Sequence, residues 1–345
     1  MYIKKILVIL SICLALFLAY LSYTIYQSVF EPNTSFSSNR QEFFISKKDN
    51  IDSVLKYISP YIKDKESFYQ VAIRKQYQPK AGHYVLAKGM NNNEIVNVLR
   101  SQNTPVNITF NNAKNIKELS GILAKQFDDD SLAFQHVFED KSFLNDQGVS
   151  LQQSLAFYIP NTYEFYWNSS PEAVRKRLLK QYDVFWNETR EQQRKALDLT
   201  RIEVSVLASI VQKESTKVEE RPRIAGVYIN RLYRDMKLQA DPTVIYALKQ
   251  KYNAPDTIIK RVLNKDLNID SPYNTYKYYG LPPAPLIMPD ISSIDAVLNY
   301  EKHNYLYFVA NITKPGYHTF AKTLREHNRN ARKYRRWINL QQIYR

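Results

Sequence analysis

The chain has 345 residues, 44% of them hydrophobic and 23% charged, with a formal net charge of +15; this suits two or three packed domains and excludes wholesale disorder. Its single Cys allows no intrachain disulfide, and its five His (His83, His136, His303, His318, His327) form no HExxH-like cluster, so no metal is expected. The Lys and Arg residues are spread along the chain without an RNP-like motif, zinc finger or Gly-rich phosphate loop, which points away from nucleic acid and toward anionic lipid headgroups or cell-wall polymers.

Residues 6–30 carry no charge. As a helix they would reach about 37 Å, enough to cross a hydrocarbon core of ~30 Å with some tilt. The run is too long for a signal-peptide core and lacks a small-x-small cleavage site, and Ile12 before Cys13 argues against lipidation. Lys4 and Lys5 precede it, while Tyr20, Tyr23 and Tyr26 lie toward its far end. The positive-inside rule therefore puts residues 1–5 in the cytoplasm and everything after Phe30 across the membrane. Residues 31–41, with Pro32 and a Ser/Asn cluster, read as a linker.

Residues 42–107 read as a small α/β module. Strands are expected at 43–45 and 81–86. Helices are expected at 50–59, with Ile51, Val54, Leu55 and Ile58 on one face, and at 92–99. Residues 108–345 make the larger, mixed α+β domain, so the fold class is α+β behind a transmembrane helix. It is entered by a strand at 106–110 and a helix at 116–127. Asp128, Asp129 and Asp130 lack the Gly and distal Glu of a calcium loop and read as a solvated turn. The aromatic run 155–167 reads mainly as core, although rings at a groove also stack on sugars. Helices are expected at 171–186 and 188–197.

Residues 200–246 organise the chain. Thr200 and Glu203 form a capping box, and Ile202, Val206, Leu207, Ile210 and Val211 repeat on one helix face. The next position on that face is Glu214, almost in line with Leu207 two turns earlier. Burial disfavours the charged carboxylate and raises its pKa above ~4.3, which is what a general acid at neutral pH requires. The plainer alternative is a Glu at the core margin, its charge met by Lys213 or Lys217. Pro222 is expected at the first position of a second helix and Asp241 at the N-cap of a third. A rigid Pro- and Tyr-rich loop at 273–285, a helix at 293–300, paired strands at 305–310 and 317–320 around Gly316, and a basic helix at 322–337 follow.

The segments LASIVQKES, EERPRIAGVYINRL, MKLQADPTVIY, SPYNTY, GLPPAP, YLYFVA and HTF together closely resemble the endolytic murein transglycosylases, the YceG-like family, in order and approximate spacing. The resemblance implies a single-pass inner-membrane enzyme that needs no cofactor and cuts nascent peptidoglycan glycan strands. Peptidoglycan synthases are further partners that the resemblance suggests. AGHYVLAKGMNNNEIVNVLRS likewise resembles the family's LysM-like segment. The family's catalytic Glu maps onto Glu214. Its other motif positions map onto Glu220, Arg221, Asn230, Arg231, Gln239, Asp241, Tyr273, Asn274, Thr275 and Tyr276, and Ser215 follows the acid directly. These are the expected substrate-binding residues, with helix-end bonding the alternative for Ser215, Asn230, Arg231 and Asp241. Asn161 stands in place of the family's usual Asp, Ala284 in place of Gly, and Met288-Pro289-Asp290 in place of Asn-Pro-Gly. A lysozyme-type hydrolase using Glu219, Glu220 or Asp241 as second carboxylate, and a non-enzymatic glycan-binding scaffold, are the rival readings.

Overall fold

The computed structural model describes residues 2–254, 257–259 and 261–340 as a mixed α+β protein. Helix α1 (Tyr2–Phe30) is apolar throughout and has no buried residue. By length and composition it is able to cross a membrane. The chain forms two units, the first of which includes α1.

The first unit holds Met1–Ile108, Ala124–Asp130 and Tyr163–Ser170. In it β1 (Arg40–Ile45) is followed by α2 (Ile51–Ile58), α3 (Lys65–Arg74), β2 (Gly82–Ala87) and α4 (Asn92–Ser101). The strands pair antiparallel, from Arg40 opposite Ala87 to Ile45 opposite Gly82. Polar caps set the helix starts. Asn50 accepts from the Ser53 N–H, Asp64 accepts from Glu66 and Ser67, and Asn91 and Glu94 complete a capping box. The inward faces bury Phe43, Ile45, Val54, Phe68, Leu86, Ile95 and Leu99. Helix α3 was not expected. Its stripe is only Phe68, Val71 and Ala72, and the Asp64 cap was its clearest signal. The last turn of α1 is tied down here, since the Asn92 side chain donates to the Ser28 carbonyl at 2.8 Å.

Then come β3 (Val106–Phe110), α5 (Ile116–Ala124), α6 (Ser131–Phe138), α7 (Lys141–Asp146), α8 (Leu151–Ser154) and β4 (Asn161–Phe165), with β3 paired to β4. The second unit holds Thr109–Leu123, Ser131–Thr162 and Pro171–Arg345. After α9 (Pro171–Phe185) and α10 (Glu188–Ala196), its centre is α11 (Arg201–Glu214). Thr200 and Glu203 form the expected capping box, and every residue from Val204 to Val211 is buried. Around α11 pack α12 (Arg221–Leu232), α13 (Asp241–Lys251) and α14 (Ile291–Leu298). Leu207, Ile210, Ile224, Tyr228, Val244 and Val297 share that core.

Two expected helix starts are shifted. Pro222 lies one residue inside α12, after a 3-10 turn at Val218–Glu220. The N-cap of α13 is Ala240, and Asp241 sits in the first turn without a side-chain capping bond. Its carboxylate is engaged elsewhere. The Pro-rich loop is irregular, as its composition requires, and is pinned to α11. The Leu286 N–H donates to Ser209 Oγ at 2.9 Å and the Asp290 N–H to Gln212 Oε1 at 2.8 Å. Strands β5 (Tyr307–Ala310) and β6 (His318–Ala321) form the expected hairpin, with Gly316 at a φ of 82° in the turn. The basic helix α15 (Leu324–Leu340) packs on that hairpin.

Candidate active site

Glu214 is the last residue of α11. The chain turns extended at Ser215, with φ −137° and ψ 131°, so the acid stands at the end of a buried rod rather than on its exposed side. It is half-buried, which leaves it an open edge. The Tyr228 hydroxyl of α12 donates to Oε1 at 2.7 Å. Burial dominates its titration and pushes the carboxyl up to about 7. Asp241 pushes in the same direction, while the Tyr228 hydrogen bond, His318 and Arg231 oppose it. Tyr228 is held well above the ordinary tyrosine value, first by burial and then by the carboxylate it faces, so it stays a donor.

Asp241 is exposed and accepts from the Tyr276 hydroxyl at 2.5 Å. Desolvation of its carboxylate raises its pKa, against the lowering by that bond. A second carboxylate and a second tyrosine thus stand in the electrostatic field of Glu214. Arg231 is buried beneath them. It donates to the carbonyls of Leu306 at 2.6 Å, Leu238 at 2.8 Å and Lys237 at 3.2 Å, and to Gln239 Oε1 at 3.3 Å. Gln239 is exposed and has a φ of 50°, held by its N–H donating to the Thr275 carbonyl at 3.1 Å.

The other motif residues build the frame. Asn230 donates to the carbonyls of His303 at 2.7 Å and Tyr305 at 3.0 Å. Arg221 is buried, bonds the Ser215 carbonyl at 3.1 Å and pairs with Asp290 at 2.9 Å. Asp290, which ends the departing Met288-Pro289-Asp290 segment, also caps α14. Glu220 is buried against His318, and exposed Glu219 accepts from Tyr317. Asn274 is fully buried and donates to the carbonyls of Leu267 and Ile269 at 2.9 and 2.8 Å. Thr275 accepts from the Ala240 N–H at 3.0 Å and bonds the Thr243 hydroxyl at 2.9 Å. Tyr273 is buried against Tyr246, ring centroids 4.6 Å apart. Of these motif residues, Asp241 and Gln239 keep exposed side chains and Tyr276 a half-buried one, and Asp241 and Tyr276 lie in the field of Glu214.

Two members of the site were not singled out from sequence. Tyr228 lay within the helix expected after Pro222, and His318 within the strand expected at 317–320. Only the structure shows their hydroxyl and ring directed at carboxylates. Among the described residues, no group of three or more His, Cys, Asp and Glu side chains is placed to hold a metal ion. A cavity of about 810 Å³ beside Lys249, Lys251 and Lys265 contains none of these site residues.

The comparisons with known proteins agree with one another. An endolytic murein transglycosylase of Bacillus subtilis is 32% identical over 302 residues, covering 82% of this chain and 81% of its own. One of Streptococcus pneumoniae is 32% identical over 297 residues, covering 77% of this chain, which spans about half (52%) of that longer relative. A crystal structure of a YceG-like protein from Listeria monocytogenes superposes with a TM-score of 0.56 at 27% identity, covering 85% of this chain and 99% of that one. The model of the YceG-like family matches residues 43–333, nearly all of the chain beyond α1. The chain belongs to the YceG-like family.

Proposed function

We propose that this chain is an endolytic murein transglycosylase, a lyase acting on peptidoglycan glycan strands, and that Glu214 is its acid and base. The observation that carries the reading is one carboxyl at the end of a buried helix, raised to about 7 and held by a tyrosine hydroxyl. A carboxyl so placed is largely protonated near neutral pH and able to give its proton. Glu214 protonates the glycosidic oxygen between MurNAc and GlcNAc, and the bond from C1 to that oxygen breaks. The resulting carboxylate takes the proton of the MurNAc O6 hydroxyl as O6 closes onto C1. The product is a 1,6-anhydroMurNAc end. Glu214 regains its proton, and no water or cofactor is consumed.

Asp241, Tyr276 and Gln239 are the proposed sugar contacts, because their side chains keep solvent-facing surface and Asp241 and Tyr276 lie in the field of the acid. Ser215, Glu220, Arg221, Asn230, Arg231, Tyr273, Asn274 and Thr275 act from behind, fixing the loops that present them. Helix α1 anchors the chain in the inner membrane with the bulk on the far side, and residues 42–107 form a LysM-like module that helps seat the glycan. Cleavage at the membrane ends strand growth, beside the synthases that extend it. Mass spectrometry of fragments released from purified peptidoglycan tests the reaction. Anhydro ends are expected; reducing ends would mean a hydrolase with Asp241 as second carboxylate, and no release would mean a binding protein.

A further inference from the structure

Glu220 is 6% exposed, and a carboxylate in such a place needs partners. It accepts from the His318 main-chain N–H at 2.7 Å, from His318 Nδ1 at 2.8 Å and from Ser215 Oγ at 3.4 Å. A carboxylate only accepts, so the proton sits on Nδ1 and the ring orientation is fixed, as a carboxylate fixes any histidine it holds. Ser215 directly follows Glu214, so the same carboxylate joins the end of the acid's helix to strand β6. His318 also packs edge-on against Phe308, centroids 5.0 Å apart, and Phe308 meets Tyr228 edge-on at 5.8 Å. Tyr228 donates to Glu214. One ring thus lies between His318 and the hydroxyl that holds the acid.

We infer that Glu220 and His318 form a positioning pair, in which Glu220 latches the β5–β6 hairpin to the end of α11 and holds the imidazole where its charge acts on Glu214. The inference rests on Glu214 being the acid. The charged and titratable groups facing Glu214 are Tyr228 and Arg231 from α12, Asp241 from α13, Tyr276 from the loop before Gly280 and His318 from β6. Of these, His318 is the one tied through a buried carboxylate to the residue after Glu214. A positive imidazole favours the Glu214 carboxylate, in agreement with the direction of its influence there. Removing it lets Glu214 keep its proton to higher pH, so the alkaline limb of activity should move upward.

The test is the pH dependence of kcat/KM for anhydro-end formation, measured on the full chain with purified peptidoglycan. His318→Gln should move the alkaline limb up by about 0.5–1 pH unit, the scale of one partly screened charge. Glu220→Gln keeps an oxygen for the Nδ1 proton and, with it, the latch. A neutral amide latches the ring less firmly than the carboxylate, so the limb should move the same way by less. The double variant should move no further than His318→Gln alone. A uniform loss of rate with an unmoved limb in either folded variant would make the pair a structural tie only and overturn the inference, as would additive shifts. Glu214→Gln, run beside them, separates the failures: persistent activity there sinks the assignment of the acid, whereas an inactive Glu214→Gln with an unmoved His318→Gln limb sinks the pair alone.

Discussion

Glu214→Gln tests the acid by two readouts that a bystander at the core margin would not move together. The substitution keeps the shape and keeps an oxygen to accept from Tyr228, but it can neither give nor take a proton. The rise of the carboxyl from 4.5 to about 7 corresponds to about 3 kcal/mol at ~1.36 kcal/mol per pH unit. Because the folded state binds this proton more tightly than the unfolded chain, the associated stability is fully present below about pH 4.5 and is lost as pH rises through about 7. Wild type should therefore forfeit up to about 3 kcal/mol between about pH 4 and pH 8 on account of this one group, while Glu214→Gln forfeits none of it. The two proteins should melt together near pH 4. Near pH 8 the variant should melt several degrees higher. Turnover should fall by ~10²–10⁴ or more, since in the proposed mechanism no second carboxylate shares the proton transfer. Thermal unfolding at the two pH values and mass spectrometry of anhydro-ended fragments read both effects. Near-normal turnover, or a melting difference that does not change with pH, would refute the reasoning.

Asp241→Asn removes a charge that raises the acid's pKa, so the alkaline limb of activity should move to lower pH, opposite in sign to His318→Gln; an unmoved limb would place Asp241 outside the acid's field. Thr275→Val strands the buried Ala240 N–H and removes a partner of Thr243, and should cost about 1–3 kcal/mol in denaturant unfolding. A cost near zero would mean the buried turn before α13 does not depend on that hydroxyl. A reporter active only outside the cytoplasm, fused at the C-terminus, should give signal in cells, and silence paired with an active cytoplasmic reporter would reverse the topology read from Lys4 and Lys5.

Much of this was legible in the sequence because period and capping report local physics. The stripe that led to Glu214 is a 3.6-residue repeat interrupted by one carboxylate, and Thr200 and Glu203 announced where it begins. The hairpin around Gly316 was legible as alternation with a turn residue that tolerates positive φ. What escaped was tertiary. Asp241 before Pro242 carries the local signature of a cap, yet its carboxylate bonds Tyr276, thirty-five positions away, and the backbone starts the helix one residue earlier. The helices at Lys141–Asp146 and Leu151–Ser154 are six and four residues long, too short for a period to emerge. No local pattern shows that Glu220 faces His318 or that Arg231 spends its donors on backbone carbonyls.

In the proposed mechanism Glu214 first gives and then takes a proton, and the end of α11 is a physically apt place for such a group. Burial disfavours its negative charge, and so do the partial negative charges of the helix's last carbonyls, which the backbone aligns there. Both effects hold the carboxyl protonated in the resting enzyme. Unopposed, they would also make the departing carboxylate too costly to form. Tyr228, Arg231 and His318 work the other way, and each favours the anion only once it exists. The result is a group with its pKa near 7, where neither protonation state is far uphill of the other. The supports for that balance come from three separate elements, α12, α13 and β6. That explains why so many of the motif residues are spent on carbonyls and ion pairs rather than left open to a sugar. Arg221, Arg231 and Asn230 bond the turns and strands that carry those supports. A change at any of them should alter the acid's titration before it alters the overall fold.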